Sequence, residues 1–187
     1  MIKNAVQSVI EREGEVYAVF IDLKAAFDRV NRKELNETMK KGRIEDKLRR
    51  VIMKIYEETE NVIRVGNSEI GKFWMEDGGR QGCKISATLF NVYLSDLEKE
   101  LCKVNEGGIV VGKKKIWSIS YADDIVLLAT DKTAIKEMIK RTEKYLDRKK
   151  MELNTKKTKS MLIKKSKKGR KKKKIKNGCG RGKKLNG

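Results

Sequence analysis

Three carboxylates on two separate segments of this chain could hold divalent metal ions. Asp22 follows the apolar run 19–21, and Asp123 and Asp124 lie directly before the apolar run 125–129. Short runs rich in β-branched and aromatic residues predict strands, so both acidic segments should lie at strand ends. Mg²⁺ binds through one or two carboxylates together with substrate phosphates. Two such ions can stabilise the attacking and leaving oxygens of an in-line phosphoryl displacement, so the pattern indicates nucleotidyl transfer.

Each acidic segment also has an ordinary explanation. Residues 122–124 could be a simple hairpin turn, because Asp is common in turns, and Asp22 could be a chance carboxylate at a strand end. Two adjacent acids between apolar strands repel each other, however, and a bound cation relieves that repulsion. Together the two segments favour a metal site over two unrelated accidents.

Four short motifs occur along the chain in a fixed order. They are FIDLKAAFD at 20–28, GRQGCKISATLFN at 79–91, YADD at 121–124 and LNTKKTKSM at 153–161. In this order they resemble the palm motifs of reverse transcriptases, and the second and fourth are similar to those of non-LTR, LINE-type retrotransposons. The resemblance covers roughly residues 16 to 163. It implies an RNA-directed DNA polymerase that uses an RNA template, a DNA primer and deoxynucleoside triphosphates, with two Mg²⁺ ions for which Mn²⁺ can substitute.

The resemblance implies catalytic roles for the residues that match the motifs. Asp22 and Asp123 would bridge the two metal ions, and Asp124 would be a weaker third ligand. The backbone oxygen of Leu23 could complete the ligand shell. Lys157 occupies the position proposed to protonate pyrophosphate, although most lysines in such a region are simply exposed to solvent.

A second group of residues would contact the incoming nucleotide. Phe27 lies where the family keeps a bulky ring that excludes a 2′-hydroxyl, although it could instead belong to the core. Arg80, Gln81 and Gly82 match a segment that binds the nucleotide, and Arg80 could also be an ordinary loop arginine. Asp28 is expected to support its loop and not to bind metal.

The chain also departs from the family. Lys84 and Ala87 replace two prolines of the second motif, and the chain has no proline. Proline fixes φ in a first helical turn, so its absence should loosen the start of the next helix. Only 21 residues precede Asp22, where the family places its fingers, and no folded thumb is expected after Lys157. The sequence thus predicts a palm with fingers and thumb largely absent.

Two other functions remain open at this point. The main alternative is an inactive retrotransposon relic that binds nucleic acid only through its basic charge. The third possibility is another palm-fold enzyme, such as a nucleotide cyclase. The motifs at 79–91 and 153–161 have no reason to occur in such an enzyme, which disfavours it.

Positive charge is concentrated at the C-terminal end. The formal net charge is +20, and residues 164–187 hold thirteen Lys or Arg and no acidic residue, which leaves +7 for residues 1–163. Such a segment cannot bury enough surface to offset its ordering entropy, so we expect a palm domain at 1–163 and a disordered tail at 164–187. The tail should attract polyanions and is similar to a nuclear-targeting patch. It could also be read-through of adenine-rich sequence with no selected role.

Cysteine usage and hydropathy limit the setting of the protein. Cys83, Cys102 and Cys179 are widely spaced and the chain has no histidine, so neither a zinc site nor a disulfide framework is expected. No apolar run is long enough for a signal peptide or a membrane span. We expect an intracellular protein, in the nucleus or the cytoplasm.

The order of predicted elements indicates an α+β fold. Strands and helices interleave without regular βα alternation, which favours an antiparallel sheet covered on one face by helices. Ser86 is predicted to cap a helix, and Asn31 another. Helices are predicted at 3–12, 31–40, 46–59, 87–103 and 133–150, and strands at 16–23, 61–65, 73–76, 109–111, 116–121, 125–129 and 160–163.

Overall fold

The computed structural model describes residues 2–57, 60–66, 68–74, 78, 85–103, 107–165 and 176–177. The contacts divide the chain into two compact units. Unit 1 comprises residues 1–24 and 96–187, and unit 2 comprises residues 25–95. Both units contain helices and antiparallel strand pairs, so the α+β fold class is confirmed.

The elements of the described residues follow in chain order. The helices are α1 (Ile2–Glu13), α2 (Arg32–Lys41), α3 (Asp46–Glu57), α4 (Ser86–Tyr93), α5 (Leu97–Cys102) and α6 (Lys132–Arg148). The strands are β1 (Glu15–Ile21), β2 (Leu23–Lys24), β3 (Glu60–Val65), β4 (Ser68–Trp74), β5 (Ile109–Val111), β6 (Lys114–Ile116), β7 (Ser118–Tyr121), β8 (Asp124–Ala129), β9 (Glu152–Leu153), β10 (Lys159–Lys164) and β11 (Lys176–Asn177). A short 3₁₀ helix spans Phe27–Arg29.

Unit 1 is built on a five-stranded antiparallel sheet in the order β11-β10-β1-β8-β7. Val19 and Ile21 are buried on one face of β1, and α6 contacts both β1 and β8. On the other face, Val16 and Ala18 form a buried cluster with side chains from α1 and β5. Further along that face Phe20 is 43% exposed, so this cover ends before the chain reaches Asp22.

Helix α6 forms as its sequence predicts. The carboxylate of Asp131 accepts hydrogen bonds from the backbone N–H groups of Ala134 at 2.8 Å and Thr133 at 2.6 Å, and these bonds lower the pKa of Asp131. The apolar stripe of α6 packs inward, with Ile139 half-buried and the other members buried. The buried members are Ile135, Met138, Thr142, Tyr145 and Leu146.

Unit 2 combines helices α2, α3 and α4 with the β3–β4 hairpin. Asn31 caps α2 as predicted, because its side chain accepts a hydrogen bond from Glu34 N at 2.9 Å. In α3, Ile52 is buried, whereas Leu48 and Val51 are exposed by 52% and 51%. Strand β4 begins at Ser68, five residues before the predicted start, because it pairs with β3 along nearly the whole hairpin.

The helix predicted at 87–103 is wrong as a single element. It is divided into α4 and α5 by Leu94, Ser95 and Asp96, at the boundary between the two units. Ser and Asp are poor in helix interiors because their side chains compete for backbone groups. The predicted cap is also wrong, because Ile85 occupies the position before α4 and Ser86 is buried in its first turn.

The tail is described only in part. Lys164 ends β10, and Lys176 and Asn177 pair with Ser160 and Lys159, so these positions are exceptions to the predicted disorder. Residues 166–175 and 178–187 lie outside the described residues, and their disorder stays a prediction. Within the described part of the chain, no helix is both long and apolar enough to cross a membrane.

Candidate metal centre and active site

The β7–β8 hairpin carries two of the three candidate carboxylates at its tip. Tyr121 pairs with Asp124, so Ala122 and Asp123 form a two-residue turn. Ala122 has a φ of 52°, and a positive φ at the first position of such a turn suits the twist of a hairpin. Asp123 is half-buried and Asp124 is exposed. Both can therefore reach a ligand from solvent.

Asp22 lies at the end of β1 and is held through its backbone. Its N–H donates to Thr158 Oγ1 at 3.3 Å, and its carbonyl oxygen accepts from Asn154 N at 2.8 Å. Both backbone groups of Asp22 thus face the segment 154–158. The Asp22 side chain is half-buried.

The strand register brings the two acidic segments to the same end of the sheet. The pairing of β1 with β8 ends at Ile21 and Ile125. Continued by one residue, the same register sets Asp22 opposite Asp124, with Asp123 one residue further out on the turn. Side chains directly opposite in an antiparallel pair lie on the same face, with Cβ atoms about 4.5–5.5 Å apart.

The chemistry of these donors fits a metal that is shared with a substrate. Among the described residues, no group of three His, Cys, Asp or Glu side chains lies close enough to hold a metal ion without help. Mg²⁺ does not need such a cage, because it retains waters and binds through one or two carboxylates plus phosphate oxygens. The carboxylates at 22, 123 and 124 therefore fit Mg²⁺ bound together with a triphosphate.

Lys157 lies in the turn that holds Asp22. Its backbone N–H donates to the Asn154 carbonyl oxygen at 3.1 Å and to Asn154 Oδ1 at 3.3 Å. The Lys157 side chain is exposed. The role of Lys157 as a proton donor stays a prediction. The contacts of Asn154 and Thr158 with the backbone of Asp22 were not predicted from the sequence. The only signal for them was the similarity of residues 153–161 to the family motif.

The predicted nucleotide contacts fall in unit 2. The half-buried ring of Phe27 packs against Phe90, with ring centroids 5.2 Å apart and planes tilted by 49°. Its predicted role in selecting the sugar is untested by this packing. Arg80, Gln81 and Gly82 lie outside the described residues.

The residue that leads into the 79–84 segment is held against the first motif. Gly78 N donates to the Val30 carbonyl oxygen at 2.8 Å, and Arg32 Nε donates to the Gly78 carbonyl oxygen at 3.1 Å. Gly78 has a φ of 97°, and a Cβ there would lie 3.1 Å from the Asp28 carbonyl oxygen. Only glycine suits this position.

Comparisons with known sequences agree with these motifs. Residues 2–177 match the family described as reverse transcriptase (RNA-dependent DNA polymerase). The chain is similar to a retrovirus-related Pol polyprotein from type-1 retrotransposable element R2 of Popillia japonica, at 29% identity over 80% of this chain and 25% of that protein. The corresponding protein of Nasonia vitripennis is 26% identical over 79% of this chain and 14% of its own length. The chain thus spans about a quarter or less of these relatives.

Solved structures share the fold. Apo telomerase from Candida tropicalis, truncated from its C-terminal domain, matches 92% of this chain and 35% of its own, with a TM-score of 0.65 and 16% identity. Telomerase of the same organism in complex with a fragment of telomeric RNA matches 86% of this chain and 28% of its own, with a TM-score of 0.64 and 15% identity. At these identities the likeness concerns the fold, and it confirms the palm-like arrangement.

Proposed function

Because the chain belongs to the reverse transcriptase (RNA-dependent DNA polymerase) family, we propose that it is the palm of a LINE-type retrotransposon polymerase. Its reaction is the addition of deoxynucleotides to a primer 3′-hydroxyl on an RNA template. The observation that carries this proposal is the β1–β8 register, which ends at Ile21 and Ile125 and, continued by one residue, would bring Asp22 opposite Asp124. Nucleotidyl transfer by two metal ions needs carboxylates brought together in this way from separate segments.

The carboxylates and one carbonyl form the proposed metal ligands. Asp22 and Asp123 would hold both Mg²⁺ ions, and Asp124 would contribute as a weaker third ligand. The Leu23 carbonyl would join them, since the carbonyl of Asp22 is already used by Asn154. When bound, the two ions activate the primer 3′-hydroxyl and neutralise charge on pyrophosphate.

Other residues of the chain act on the nucleotide in this proposal. Arg80 pairs with phosphate oxygens, since a guanidinium group can donate two parallel hydrogen bonds. Gln81 contacts the nucleotide, and Gly82 lets the backbone approach it closely. Lys157 supplies a proton to the leaving pyrophosphate from an exposed position. RNA template, DNA primer and deoxynucleoside triphosphates are the proposed partners.

Replacing Phe27 by Ala should let ribonucleotides compete with deoxynucleotides. The ring rejects a 2′-hydroxyl by steric clash, and discrimination of this kind depends on pocket shape. The measurement is the ratio of deoxynucleotide to ribonucleotide incorporation in the wild type and the variant. Phe90→Leu is a matched control, because it disturbs the same pair of packed rings but leaves the ring of Phe27 in place. Unchanged sugar selectivity in Phe27→Ala would assign the ring to the core alone.

Primer extension on an RNA template tests the proposed function. We expect metal-dependent addition of a few deoxynucleotides, because in-line transfer is sensitive to misplacements of about 1 Å and the chain spans only part of its relatives. Asp123→Asn should lower the initial rate about a hundredfold or more, since a catalytic metal supplies several kcal/mol of transition-state stabilisation.

The same assay separates the proposal from its main alternative. The net charge of +20 would let an inactive relic bind nucleic acid without catalysis. Binding of the primer–template duplex with no metal-dependent incorporation would therefore support the relic. Incorporation that is lost in Asp123→Asn supports the polymerase.

A further inference from the structure

The segment 154–158 interrupts the strand ladder beside Asp22. Phe20 pairs with Lys159 in β10, and Leu23 pairs with Leu153 in β9. Five residues, 154–158, therefore stand opposite only two, 21 and 22. A regular ladder cannot continue across such a mismatch. The backbone groups of Asp22 that face this side need other partners.

The five residues close into a turn that supplies both partners. Thr158 N donates to the Asn154 carbonyl oxygen at 2.8 Å, and Asn154 Oδ1 accepts from Lys157 N at 3.3 Å. The closed turn directs Asn154 N at the carbonyl of Asp22 and places Thr158 Oγ1 as the acceptor of the Asp22 N–H. Asp22 is thus held on both of its backbone groups by one short segment.

Thr158 is suited to hold a fixed position. The residue is only 3% exposed, although Thr is polar. A β-branched side chain has few χ1 rotamers, so packing fixes its hydroxyl as well as its methyl group. Its neighbour Lys159 is anchored by its pairing with Phe20. The hydroxyl therefore transmits the position of β10 to the backbone of Asp22.

We propose that Thr158 is a positioning residue for the carboxylate of Asp22. By accepting the Asp22 N–H, it sets the backbone of this residue at the end of β1 and so directs the side chain toward the β7–β8 hairpin tip. This inference rests on the proposed function, because the carboxylate must bind metal for its position to matter. Partners of metal ligands commonly change metal affinity about 10- to 100-fold when they are removed.

Mn²⁺ binding by the full chain, followed by electron paramagnetic resonance, tests the inference. Thr158→Val keeps the shape of the side chain and removes the hydroxyl, and we expect it to raise the Kd for Mn²⁺ about tenfold. Thr158→Ser keeps the hydroxyl and should stay within about twofold of the wild type. Thr155→Val makes the same chemical change in the same turn, at a residue that does not bond to Asp22, and should leave the Kd unchanged.

Amide hydrogen exchange gives a second measurement that does not depend on metal. Thr158→Val should speed exchange of the Asp22 N–H about tenfold relative to the wild type, while the N–H of Val19 keeps its protection. Equal exchange of the Asp22 N–H in Thr158→Val and wild type, or equal Mn²⁺ affinity of the two, would overturn the inference. A Thr158→Ser variant as weak as Thr158→Val would assign the effect to packing and overturn it as well.

The Mn²⁺ titration distinguishes a failure of the role proposed for Thr158 from a failure of the metal site itself. If the wild type binds Mn²⁺ and Thr158→Val binds it equally well, only the role of Thr158 is refuted. If the wild type itself shows no saturable binding, the metal site of the proposed function is refuted, and the positioning role falls with it.

Discussion

Neutralising the seven Lys and Arg residues between Lys167 and Lys174 will lower the affinity of the chain for an RNA–DNA duplex about a hundredfold or more at about 50 mM salt. Each cation that contacts a phosphate releases a condensed counterion, and this release drives binding at low salt. The slope of the logarithm of the binding constant against the logarithm of the salt concentration should also become shallower by up to about 6. Each lost phosphate contact removes about 0.9 from the size of this slope. Glutamine is a suitable replacement because it keeps a long polar side chain. Residues Lys164, Lys176 and Asn177, which pair in the sheet, are left unchanged.

A scrambled tail serves as the matched control. Shuffling residues 166–175 keeps every charge and should preserve both the affinity and the salt slope, because the electrostatic term does not depend on sequence. Fluorescence anisotropy over a range of salt concentrations measures both quantities. If the glutamine variant binds as tightly as the wild type and with the same slope, the duplex is held by cations outside residues 167–174.

The positions of the acidic residues could be predicted from local sequence. The apolar runs before Asp22 and after Asp124 have the composition of buried strands, and the structure forms β1 and β8 from them. Helix α6 was predictable from a different local signal, the 3.6-residue spacing of its apolar residues. In each case the sequence pattern that predicts the element spans no more than about twenty residues.

What could not be predicted depends on contacts between distant residues. The bond from Asp22 N to Thr158 Oγ1 joins positions 136 residues apart, and it arises from a mismatch between two strand pairings. No local pattern encodes such a mismatch. The break between α4 and α5 was missed for a related reason: apolar spacing continues through Leu94 and Leu97 although the backbone does not.

The exposed residues of α3 show the limit of periodicity in another way. Leu48 and Val51 have the spacing of a buried stripe, yet they are about half exposed while Ile52 is buried. Periodicity identifies a helix and its apolar face, but it does not say how much of that face finds a neighbour. The helix itself forms over Asp46–Glu57, close to the predicted range.

Removing both Asp22 and Asp123 will abolish saturable Mn²⁺ binding. An Asp22→Asn, Asp123→Asn double variant keeps the size of both side chains and takes away two negative charges. The affinity of a carboxylate site for a divalent cation depends on that negative charge, and an amide oxygen is a much weaker ligand. We expect the Kd to rise about a hundredfold or more, which is beyond the range of titration for a site that is already weak.

The control for this variant matches its charge change. Asp28→Asn, Asp131→Asn removes two carboxylates that have no metal role in this account. Asn replaces Asp well as an N-cap, so α6 should keep its first turn. We expect this double variant to bind Mn²⁺ as the wild type does.

A titration of Mn²⁺ against these three proteins by electron paramagnetic resonance is the most direct test that the strand-end carboxylates form a metal centre. The account predicts weak, saturable binding to the wild type and the control, and none to the Asp22→Asn, Asp123→Asn variant. Saturable binding that survives in this variant, or its absence from the wild type, would contradict the account.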